Sequence, residues 1–167
     1  LRSLVGSEMC IRDRITIVDV LPAGMTIAAG AVTLGGAQAA NWTCNAAGQN
    51  ITCTSATAIA AAGTSVFSFT PSISAGTTGT LTNRAQVGGG GDPTNPTAPT
   101  AATAGACTGT DTPTEGCAID GPDTVNAANL SLAKTNGSAT VNAGGTTTYT
   151  LTVSNTGNVA SAGTITV

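Results

Sequence analysis

Three side chains sit where a polar or charged group is costly. Lys134 follows Leu130 and Leu132 at every second position, Asp19 follows Ile15 and Ile17, and Asn83 lies between Leu81 and Ala85. Alternate side chains of a strand share one face. Each of the three therefore falls on the apolar face of its own strand, where burial is unfavourable unless the group is paired or neutralised. One reaction neutralises the set. A lysine amine condenses with an asparagine carboxamide, ammonia leaves, and an isopeptide bond ties two strands. In that reading Lys134 is the nucleophile, Asn83 the electrophile and Asp19 the proton shuttle. The ordinary alternative is a snorkelling strand-end lysine, a hydrogen-bonded asparagine and an aspartate that opens a turn.

Sulfur is the second source of chemistry. Cys44, Cys53, Cys107 and Cys117 form two sequence-local pairs. An even count in a loop-rich β chain points to an oxidising compartment and to Cys44–Cys53 and Cys107–Cys117 bridges. Free thiols are the competing reading. The spacings are too long for paired CxxC zinc knuckles, and the chain has no histidine.

The remaining candidates are weak. Asp111, Glu115, Asp120 and Asp123 could hold calcium, but they miss the EF-hand spacing, and a solvated acidic loop is the commoner role. Trp42 could stack on a sugar, although a single tryptophan in a β protein is usually core. Four Asn-x-Ser/Thr sequons, at Asn41, Asn50, Asn129 and Asn136, are expected by chance in a chain this rich in Thr and Ser. Ser–His and Cys–His catalysis need a histidine, and no phosphate-cradling loop is present. The expectation is a protein without enzymatic activity, cofactor or resident metal.

Residues 1–14 stand apart from the rest. The run Leu4 to Asp13, with the start of Arg14, resembles the translation of a transposase-type sequencing adapter. It is therefore set aside with Cys10. Without it only Arg84 and Lys134 are basic, against six acidic side chains, a net of four negative charges. That balance argues against nucleic-acid partners and anionic membrane surfaces. No apolar stretch is long enough to span a bilayer.

The elements that position these residues read as β strands. Ile15 to Leu21 alternates, and a Leu-Pro-Ala-Gly turn follows it. Asn41–Cys44 and Asn50–Cys53 flank Ala46-Ala47-Gly48-Gln49 as a hairpin. Val66–Phe69 places both phenylalanines on one face, and Thr80–Val87 is the next strand. Residues 91–128 show no period and are rich in Pro, Thr and Gly, so they read as a linker carrying a cysteine loop. Strands resume at Leu130–Lys134 and Tyr149–Val153, with turns at Asn136-Gly137, Gly144-Gly145 and Asn155–Asn158. Thr164–Val167 reads as one more strand.

LSLAKT, GGTTTYTLTVSNTGNVAS, ITIVDVLPAGM, NWTC with NITCT, and LTNRAQV together resemble the DUF11 family of bacterial surface-protein repeats. The resemblance implies an immunoglobulin-like antiparallel β-sandwich carried in tandem. The order departs from the family: 15–90 resembles the later part of one repeat and 129–167 the opening of the next. Each piece alone would expose apolar faces and open edges. The expectation is therefore a fragmentary sandwich in which 129–167 packs onto 15–88 as a circular permutation. A linker of about thirty residues reaches far enough, at about 3.3 Å per extended residue.

Function follows from the resemblance and not from the fold alone. It implies a stalk or spacer on the cell surface or in a secreted protein, with neighbouring repeats as partners. The alternative is an adhesive or carbohydrate-binding module that meets surface glycans or other cells.

Overall fold

The computed structural model describes residues 14–108 and 116–167. The residues before Arg14, which resemble an adapter translation, and Asp111 and Glu115 of the acidic loop lie outside the described residues. The chain is all-β and antiparallel, and it divides into two compact units, one ending at Asp123 and the other spanning Thr124–Val167.

In the first unit the strands are β1 (Ile15–Val20), β2 (Met25–Thr26), β3 (Gly30–Ala31), β4 (Thr43–Ala47), β5 (Asn50–Ser55), β6 (Ser72–Ile73), β7 (Thr80–Gly89) and β8 (Cys117–Thr124). A five-residue helix, α1 (Ala101–Gly105), precedes β8. Six strands form one sheet in the order β3-β4-β5-β1-β7-β8, and β2 pairs with β6 separately. The hairpin β4–β5 turns on Gly48, whose φ of 63° suits the first position of a two-residue loop. Cys44 lies directly opposite Cys53, and their disulfide crosses the ladder. Both sulfur-bearing residues join Leu21, Trp42, Ala46 and Ile51 in the core, and Ile15, Ile17, Phe67 and Phe69 pack against it. Val66–Phe69, expected as a strand, contributes one bridge, Gly35 to Ser68, while its two phenylalanines do share the core-facing side.

Strand β1 is covered on both faces. Its odd positions face the core, yet Thr16 and Val18 on the other face are buried as well. The cause is the segment expected to be a linker. Thr100 caps α1 by accepting from the Thr103 amide, and α1 packs on β1 and β7 with Ala104 fully buried. Arg84 Nε donates to the Cys107 carbonyl at 3.1 Å. The Cys107–Cys117 disulfide then ties the end of the helix to the start of β8. Strand β8 runs antiparallel to β7, with Gly116 at Val87 and Gly121 at Leu81. Its sequence, CAIDGPDT, carries Gly and Pro, which local pattern assigns to loops; at a sheet edge both are tolerated.

The turn after β1 closes one residue later than expected, with the Met25 amide donating to the Pro22 carbonyl at 3.1 Å. Gly24 there has φ of 96°, and an added Cβ would stand 2.5 Å from Thr77 Cγ2. Gly24→Ala is expected to destabilise the first unit by about 1–3 kcal/mol through backbone strain and this clash. Thermal unfolding checks it, and an unchanged midpoint would show that the turn relaxes freely.

The second unit holds β9 (Leu130–Thr135) and β10 (Thr150–Asn155), paired antiparallel with Lys134 opposite Leu151 and Leu132 opposite Val153. Asn158 and Asn155 pin the incoming chain: the Asn158 side chain accepts from the Ala127 amide and that of Asn155 from the Asn129 amide. Every residue of β9 and β10 is exposed. Among the described residues the ladder partner of β9 is β10, and β8 lies beside β7 at the edge of the six-stranded sheet, so no strand of 129–167 joins that sheet. Thr164–Val167, expected as a strand, has no ladder partner among the described residues.

Candidate functional site

One row across the large sheet reads Ala46, Ile51, Asp19, Ala85. Asp19 thus has a fully buried isoleucine on one side and an alanine on the other, and is itself only 7% exposed. Asn83 lies two residues along β7 from Ala85, on the same face, within diagonal reach. Its Nδ2 donates to Asp19 Oδ2 at 2.9 Å. Burial raises the Asp19 carboxyl from 3.8 to about 6, and the Asn83 hydrogen bond partly offsets that rise. Asp19 Oδ1 and Asn83 Oδ1 are both buried without a partner. Unpaired buried oxygens are uncommon and mark a strained or incomplete polar site.

Two of the three residues singled out by strand periodicity are therefore in contact. The third is placed differently. Lys134 lies in β9, exposed, with its ammonium 4.3 Å from the centroid of the Tyr149 ring. An exposed cation–π contact of this kind contributes about 0.5–1 kcal/mol.

Both expected disulfides are formed, Cys44–Cys53 and Cys107–Cys117. Trp42 is core. It is 7% exposed, its ring centroid lies 4.6 Å from that of Phe67, and Nε1 donates to Ser65 Oγ at 2.9 Å. Ser65 was not legible as its partner, because twenty-three residues separate the two. Among the described residues no group of three or more His, Cys, Asp or Glu side chains is placed to hold a metal. Among the described residues no helix is long and apolar enough to cross a membrane.

No protein-family model matches the chain, and no curated protein or solved structure matches it significantly.

Proposed function

We propose that the chain is a structural repeat of the DUF11 type, a stalk or spacer module of a bacterial cell-surface or secreted protein. The observation that carries this reading is the pair of disulfides. One crosses the central hairpin and the other fastens the 91–128 segment onto the sheet. Cross-links of this kind form and persist in oxidising compartments, and they stabilise a charge-poor β fold where chaperones are absent. The exposed apolar residues of β9 and β10, among them Leu132, Leu151 and Val153, add a surface of the sort that neighbouring repeats cover. An adhesive or carbohydrate-binding role draws less support, because Trp42 is core.

The complete reading frame tests the proposal. It is expected to carry tandem copies of ITIVDVLPAGM and YTLTVSNTG behind an export signal. A frame with a single copy, or with these segments flanking a catalytic domain, would overturn it.

A further inference from the structure

We propose that Asn136 is a self-modification site: the backbone nitrogen of Gly137 attacks the Asn136 carboxamide, ammonia leaves, and the turn after β9 is converted through a succinimide to isoaspartate and aspartate. The inference rests on the second unit alone and stands apart from the surface-repeat reading.

Ring closure needs an asparagine followed by a residue that lets the backbone fold back on the side chain. Asn136-Gly137 is the single Asn-Gly pair in the sequence. Glycine has no Cβ to crowd the five-membered ring, and its backbone reaches unusual dihedrals at little steric cost. Gly137 sits at φ of 66°, with nothing within 4 Å of the place a Cβ would take. Gly137 and Ser138 are exposed and Asn136 is half-buried, so the solvent that completes the reaction reaches the turn.

The hydrogen bonds of the turn lie along the reaction. Gly137 N–H donates to Thr135 Oγ1 at 3.0 Å. The amide must lose that proton to attack, and the hydroxyl stands where the proton leaves. Asn136 Oδ1 accepts from the Ser138 amide at 3.2 Å. Negative charge develops on this oxygen as its carbonyl is attacked, and an N–H already aimed at it stabilises that charge. The Ser138 hydroxyl donates to the Thr140 carbonyl at 2.7 Å and steadies the far side of the turn.

The step balances with water as the one co-reactant. Gly137 N bonds to Asn136 Cγ and gives up its proton through Thr135 Oγ1 to solvent. The Cγ–Nδ2 bond breaks, Nδ2 takes a proton from water, and ammonia leaves. Water then adds to either ring carbonyl. Opening at Cγ gives aspartate, and opening at the backbone carbonyl gives isoaspartate. No electrons are exchanged, and the net change is hydrolysis of one carboxamide. The second unit, residues 124–167, holds Lys134 and no acidic side chain, so its side-chain charge falls from +1 to zero. Loss of net charge beside the exposed Leu132 and Leu151 favours association.

The full chain is held at physiological temperature and mildly alkaline pH, then followed by intact-mass spectrometry and peptide mapping. The expected product has the carboxamide nitrogen exchanged for oxygen, with isoaspartate and aspartate both found at position 136. Asn142 is exposed in the same unit and precedes Ala143, so it is the internal reference. A Cβ on the attacking residue should slow closure about 10-fold, both at Asn142 and in Gly137→Ala. Thr135→Val should also slow conversion at Asn136 and leave Asn142 unchanged. Circular dichroism confirms that each variant folds. Conversion at Asn136 no faster than at Asn142, or a rate unaffected by Gly137→Ala or by Thr135→Val, would overturn the proposal.

Discussion

Trp42→Ala is expected to cost about 3–5 kcal/mol, the range for removing a buried aromatic side chain from a core. The ring is 7% exposed and packs among Leu21, Cys44, Ala46, Ile51 and Cys53. Its neighbour Phe67 lies tilted at 30° with a centroid separation of 4.6 Å, a geometry favourable for aromatic pairs. With so few aromatic residues in the chain, no other ring can fill the space. The substitution also strands the Ser65 hydroxyl, which accepts the indole N–H at 2.9 Å. A domain of ordinary stability, about 5–15 kcal/mol, would be left marginal or unfolded. Urea denaturation followed by circular dichroism measures the loss. Ser65→Ala separates the two contributions, because it removes the hydrogen bond and leaves the packing, and about 1 kcal/mol is expected there. A cost below about 1 kcal/mol for Trp42→Ala would mean that the ring lies on the surface.

Acidification is expected to stabilise the first unit, and Asp19 is the reason. The folded carboxyl titrates at about 6, raised from 3.8 by burial against the partial relief of the Asn83 hydrogen bond. Between those values the folded chain binds more protons than the unfolded chain. The Asp19 contribution is therefore fully present below about pH 4, declines as pH rises through 6, and is gone above that. A shift of this size corresponds to about 3 kcal/mol. Asp19→Asn removes the titrating group and preserves an oxygen for Asn83 Nδ2. It should flatten the slope and raise stability at pH 7. Denaturant midpoints at pH 4, 5, 6 and 7 for both proteins check this. A slope of the same size in Asp19→Asn, or a wild-type chain that weakens between pH 7 and 5, would assign the behaviour to other groups.

Much of the candidate site was legible because its logic is local. Period-two alternation in ITIVDVL and TLTNRAQV places Asp19 and Asn83 on apolar faces, and the structure brings them to 2.9 Å. The hairpin and its disulfide follow from residues nine apart in sequence. The placement of Lys134 was less legible: its strand and face could be read, but not that the face stays exposed with the ammonium over the Tyr149 ring. The 91–128 segment shows the same division. Its Pro, Gly and Thr content reads as linker, yet α1 caps itself with Thr100 and covers the even face of β1, and β8 takes the edge beside β7.

By itself the sequence determined the all-β class, the strand faces, the turns at Gly24, Gly48 and Gly137, and both cysteine pairings. Each of these depends on backbone sterics or on contacts within a few residues. The tertiary structure alone decided the strand order, the second buried face of β1 and the assembly of β9 and β10 as a separate pair. Those outcomes depend on which free edge and which apolar face meet. An edge offers the same backbone donors and acceptors to any strand, so pairing partners are selected by packing across the whole unit and not by local pattern.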